Sequence, residues 1–112
     1  MENKIYDSVK TIKPANKKYV HRNDAEKFID LSEKAGLGVL GFDGIYCKVD
    51  SIEPDMDLIA DFSNLKKEVS SSVFVRESCE AARRVIQEFP IVADLYIDFV
   101  LEAESITLPE IG

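Results

Sequence analysis

Gly38-Val39-Leu40-Gly41-Phe42-Asp43-Gly44-Ile45-Tyr46-Cys47-Lys48-Val49 occupies the middle of the chain. Residues 39–42 and 45–49 are rich in strand-forming side chains, and Asp43-Gly44 between them is the strongest short-range hairpin signal in the sequence. A tight two-residue turn demands positive φ at both central positions, which Asp tolerates and Gly adopts freely. The stretch therefore predicts two antiparallel strands joined at Asp43-Gly44, and a Gly44→Val change is expected to destabilise the domain through that turn. A wider loop competes, because Gly41 is also a natural position for a bulge.

Working outward toward the N-terminus, residues 23–35 predict a helix. Asn23 or Asp24 can cap its first turn, Ala25, Phe28, Ile29 and Ala35 lie on one face, and Gly36 supplies a left-handed stop. Residues 4–12 are expected to form a strand, with Pro14 and the Lys17-Lys18 pair in an exposed connection after it. Toward the C-terminus, Pro54 interrupts a polar segment and residues 57–62 read as strand-like or as a short helical piece. Residues 63–72 read as a loop or frayed helical turn, and residues 73–75 as a short extended approach. A second helix is expected over residues 78–89, capped by Ser78 and stopped by Pro90.

Residues 94–104 are the clearest strand, with Leu95, Ile97, Phe99 and Leu101 alternating toward the core. Tyr96 and Val100 share the other side with acidic Asp98 and Glu102, so that side is expected to be partly covered or used for contact. The tail, residues 105–112, reads as an edge segment. Together these elements predict an α+β fold in a single domain, residues 1–112, with a mainly antiparallel sheet packed with two principal helices.

In a chain of 112 residues, 46% hydrophobic side chains suffice for a core without disulfide or metal staples. Cys47 and Cys79 stand apart from each other and from any Cys/His cluster, as expected of a reducing cytoplasm. The opening MENKIYDSVK has neither the basic start nor the apolar run of a secretory signal, so a cytoplasmic location without a membrane partner is expected. The net charge is −7, distributed as +2 over residues 1–36, −4 over residues 37–75 and −5 over residues 76–112. Such a field repels nucleic acid, whose binding needs cations to displace phosphate counterions, and favours a basic protein partner.

Asp43, Asp50, Glu53, Asp55, Asp57 and Asp61 form the conspicuous acidic series, and Asp55-Met56-Asp57 places two carboxylates on one side of an extended segment. A calcium loop beginning at Asp55 would put Ala60 at its sixth position and Lys66 at its twelfth, where Gly and Glu are required. No metal, cofactor or catalytic residue is therefore expected. A small carboxylate- or metal-dependent hydrolase built on Asp43, Asp61 or Asp98 is one alternative, and an acidic regulatory or structural protein-binding subunit is another. His21, the only histidine, reads as an exposed linker residue. Cys47 and Cys79 read as small, partly buried side chains, although a cysteine at a helix N-terminus can acquire a lowered pKa.

The stretch AGLGVLGFDGIYCKVDSIEPDMDLIADF, residues 35–62, resembles a segment of small immunity proteins from bacterial polymorphic-toxin systems. The likeness lies in Gly41-Phe42-Asp43-Gly44, Pro54-Asp55 and Asp61-Phe62-Ser63, extended by the helix containing residues 81–84 and the strand containing residues 96–101. It implies a cytoplasmic protein that binds a cognate toxin domain and neutralises it, with no active site of its own. If that toxin is a nuclease, its phosphate-attracting surface is basic and suits an acidic inhibitor. Read from residue type, the candidate contacts are Asp43, Asp55, Asp57 and Asp61 for charge, with Phe42 and Tyr46 as candidate aromatic contacts, Phe42 in particular reading also as a core side chain.

Overall fold

The computed structural model describes residues 5–6, 9–12, 18–66 and 69–102. Their order is β1 (Thr11–Ile12), β2 (Tyr19–His21), a 3-10 turn (Arg22–Asp24), α1 (Ala25–Lys34), β3 (Val39–Cys47), β4 (Ile52–Asp61), α2 (Ser63–Lys66), α3 (Ser71–Gln87) and β5 (Leu95–Leu101). This is an α+β fold. Five strands among the described residues make one antiparallel sheet in the order β1-β2-β5-β3-β4. The two principal helices, α1 and α3, pack on one face.

Helix α1 forms because Ala25, Phe28, Ile29 and Ser32 recur at three- and four-residue spacings and are all buried. Gly36 follows at φ 77°, the left-handed conformation that ends the helix without a Cβ clash. In α3 the buried series is Phe74, Ser78, Cys79, Ala82 and Ile86. That stripe starts one turn earlier than expected, so residues 73–75 are helical and Ser78 lies within the helix. The β-branched valines favour extended chain only weakly, and burial of Phe74 against the core outweighs that preference. The Ser78 hydroxyl accepts a hydrogen bond from the Val39 amide at 3.0 Å, tying the helix to β3. Between the helices, Arg83 of α3 bonds Asp30 at 2.8 Å and Glu33 of α1, while Gln87 bonds Glu26 at 2.9 Å.

The core lies between these helices and the inner face of the sheet. Leu95, Ile97, Phe99 and Leu101 point into it, as the alternation of β5 predicts. Phe28, Phe42, Phe89 and Phe99 form its aromatic centre, with Phe28 4.7 Å and Phe42 5.4 Å from Phe99 between ring centroids. On the outer face, Tyr19, Ile45 and Tyr96 form a smaller buried cluster, so that side of β5 is partly covered at Tyr96.

Asp43-Gly44 is not a turn. Both residues lie inside β3, paired to β5 on one side and to β4 on the other. The hairpin reverses at residues 48–51, where the Lys48 amide donates to the Ser51 carbonyl at 2.8 Å. Pairing on both sides outweighs the local Asp-Gly preference, and Gly44 serves instead to admit Leu58, which crosses it closely. The register jumps here: Asp43 faces Ile59 but Gly44 faces Asp55, so residues 56–58 of β4 form a bulge. A second irregularity between Val39 and Gly41 in the pairing with β5 is the bulge anticipated at Gly41. Pro54 fits within β4 because β4 is an edge strand.

Of the strand expected over residues 4–12, Thr11–Ile12 is a strand while Ile5 and Tyr6 are helical. Lys4, Asp7, Ser8, Pro14, Lys17 and the tail at residues 105–112 lie outside the described residues.

Candidate partner-binding face

His21 is buried on β2 and does not sit in an exposed linker. Its Nδ1 accepts from the Asn23 amide at 3.1 Å, capping the 3-10 turn in the role expected of Asn23 or Asp24. Its Nε2 lies 2.9 Å from the Ala93 carbonyl, a partner that can only accept, so Nε2 is the donor of the ring and Nδ1 its acceptor. Asp24 instead accepts from the Lys10 amide at 2.7 Å. Both nitrogens of the histidine are therefore committed to backbone. Cys79 lies within α3 and away from its first turn, fully buried, and burial, then the Glu33 carboxylate, push its thiol up to about 11. It offers no thiolate nucleophile near neutral pH. Cys47 is half-buried, and burial followed by Asp94 raises its thiol as well.

The six expected contact residues divide among three environments. Phe42 is a core side chain, 2% exposed, and is removed from the contact set. Strand alternation sends it inward, where Phe62, Phe89 and Phe99 surround it. Tyr46 also points to the inner side of β3 and is half-buried. Partial burial, then the Asp55 carboxylate that its hydroxyl meets, raise the Tyr46 pKa above its ordinary range.

Asp55 is half-buried, and its carboxylate accepts from the Asp57 amide at 2.9 Å as the chain enters the bulge. The two-residue period does not run through this segment, so the expectation of two carboxylates aligned on a regular strand is corrected. Asp55 works locally, joining Tyr46 to the bulge, while Asp57 is exposed at its crest.

Asp43 and Asp61 do share a surface. Asp43 is exposed on the outer face of β3, opposite Asp98 of β5 and Ile59 of β4. One row along, Gly41 lies between Val100 of β5 and Asp61 of β4. Ile59 is 46% and Val100 52% exposed, so two large apolar side chains stand on a face with three carboxylates around them. Leu40, Gly41, Asp43, Ile59, Asp61 and Val100 line a shallow groove of about 370 Å³ there. Asp61 Oδ1 accepts from both the Ser63 amide at 2.9 Å and the Ser63 hydroxyl at 2.6 Å. Those two bonds hold the Asp61 carboxyl below its ordinary pKa and fix it at the start of α2.

Ile59 escaped sequence reasoning because its direction depends on the bulge. Val100 carried a legible signal as an apolar residue on the polar side of β5. Among the described residues no group of three His, Cys, Asp or Glu side chains converges as a metal site. No helix among them is long and apolar enough to cross a membrane. No protein-family model matches this chain, and no curated protein or solved structure matches it either.

Proposed function

We propose that this protein is an immunity protein, a stoichiometric inhibitor that covers a basic surface of a cognate bacterial toxin domain in the cytoplasm. The observation that carries the proposal is the outer face of the sheet, where exposed Ile59 and Val100 lie among Asp43, Asp61 and Asp98. An apolar centre with charged residues around it is the general anatomy of a protein interface, in which desolvated apolar contact supplies affinity and surrounding charge supplies steering. The likeness of residues 35–62 to immunity proteins points to the kind of partner. A nuclease domain fits the charge, since a surface that attracts phosphates also attracts these carboxylates.

Asp61 on this face is a poor general acid for the hydrolase alternative. General acid catalysis needs a carboxyl with a raised pKa in a site that excludes water, whereas the Ser63 bonds hold the exposed Asp61 carboxyl low.

The test uses the toxin domain that this reading expects to be encoded beside the gene. Co-expression should protect cells from that toxin, and Asp43→Asn with Asp61→Asn should weaken the protection. In binding kinetics the double variant should associate more slowly and with less salt dependence. Carboxylates desolvated at the interface would add faster dissociation, for a total loss of about 2–5 kcal/mol. Circular dichroism should show both proteins folded. Absence of protection by the unaltered protein would sink the immunity assignment, and unchanged kinetics in the variant would move the interface off this face. A basic host protein bound in place of the toxin would favour the regulatory-subunit alternative.

A further inference from the structure

We propose that the groove over Gly41 receives one arginine side chain from the bound protein, a reading that rests on the outer face being the interface. Gly41 makes the groove. It puts no side chain into the groove, and a Cβ on it would lie 2.5 Å from the Ala60 carbonyl oxygen, so only glycine fits where β4 approaches this closely. The walls are Leu40, Ile59 and Val100, and the carboxylates of Asp43 and Asp61 lie along the same groove. At about 370 Å³ the space lies at the small end of ligand pockets, which span roughly 300–1,000 Å³. It suits a single extended side chain and leaves little room for a cofactor.

The chemistry of the lining selects the occupant. Three apolar walls match a methylene stem, and the carboxylates match a cationic head, the division found in long basic side chains. Asp43 and Asp61 are diagonal neighbours across β3 and β4. Such positions lie roughly 7–8 Å apart, within the span of one planar group that donates in several directions. A guanidinium offers five donors in a fixed fork and can address both carboxylates together. An ammonium is a point charge, more strongly hydrated, and gains less from the pair. Asp61 is prepared for this role. Both Ser63 bonds fall on Oδ1, which orients the carboxylate and leaves Oδ2 without a hydrogen bond among the described residues. Asp43 has no ion pair among the described residues, so neither carboxylate needs to give up an internal cation on binding.

The experiment is an amide NMR titration of the full chain with N-acetyl-arginine amide, in parallel with the corresponding lysine and norleucine amides. The expected result is saturable shifts at millimolar ligand, on the order of a lone side chain's affinity, concentrated at residues 40–43, 59–61 and 100. Affinity should fall at least about tenfold in the Asp43→Asn, Asp61→Asn protein. The lysine amide should bind more weakly, and the norleucine amide should leave these residues unmoved. Equal shifts from all three amides, arginine shifts scattered over other acidic residues such as Glu80, or no saturation would overturn the proposal. Failure here together with protection in the co-expression assay removes the arginine anchor and keeps the toxin-binding function. Specific shifts without protection keep the anchor and remove the toxin.

Discussion

Replacing Phe42 with alanine is expected to destabilise the protein by about 3–5 kcal/mol, among the largest effects available to a single core substitution. The ring lies at the centre of the inner face, with centroids 5.4 Å from Phe99, 5.7 Å from Phe89 and 6.0 Å from Phe62, each in an edge-on geometry. Those neighbours come from β5, from the segment after α3 and from the segment after β4. One truncation therefore loosens three separate parts of the chain. A domain of this size has a total stability of only about 5–15 kcal/mol, so the variant should melt more than about 10 °C lower and unfold at much lower urea. Loss of partner binding in Phe42→Ala would consequently report loss of fold. A melting temperature within about 2 °C of the parent would contradict the packing described for Phe42.

The second large effect concerns Gly44. A Cβ at this position would stand 2.6 Å from Leu58 Cβ and 2.9 Å from Leu58 Cδ1, closer than any ordinary contact. Strand β4 has little freedom to retreat, because Gly41–Asp43 on one side and Gly44–Cys47 on the other are paired to it. Gly44→Ala should cost about 1–3 kcal/mol as an overpacking substitution, and Gly44→Val more, since its branches meet the same side chain. Leu58→Ala should relieve the clash. In the Leu58→Ala background the added methyl should therefore cost less, with a coupling of about 0.5–3 kcal/mol in a urea-unfolding cycle. Equal costs of the added methyl in both backgrounds would reject contact with Leu58 as the source of the penalty.

The contrast at Gly44 shows what could be read from the sequence. Periodic patterns were legible because they depend on neighbours in the chain. The alternation of Leu95, Ile97, Phe99 and Leu101 set the inner face of β5, and the spacing of Ala25, Phe28 and Ile29 set the buried face of α1. The antiparallel α+β class followed from these elements and from the short connections between them. Features created by distant partners were not legible. Asp43-Gly44 looks like a turn until β5 and β4 pair on either side of it, and His21 looks like linker until the Ala93 carbonyl reaches it. The candidate face divides the same way. Asp43 and Asp61 could be named as acidic residues, but their meeting across β3 and β4, with Ile59 beside them, depends on a register set by the bulge at residues 56–58.

The order β1-β2-β5-β3-β4 has a further consequence for the history of each molecule. Strands β2 and β3 are close in sequence but have no ladder between them, because β5 fills the gap and pairs with both. During synthesis the β3–β4 hairpin and the β1–β2 pair are made early and remain unjoined until residues 95–101 leave the ribosome. The strand edges that β5 will pair, beside Phe42 on one part and Val20 on the other, stay unpaired over that interval. Closing such long-range pairings is the slow, loop-entropy-limited part of folding. A ribosome stalled before Leu95 should hold a protease-sensitive chain, and one stalled after Leu101 has cleared the exit tunnel a resistant one. Equal resistance at both points would show that the sheet does not need its last strand to close.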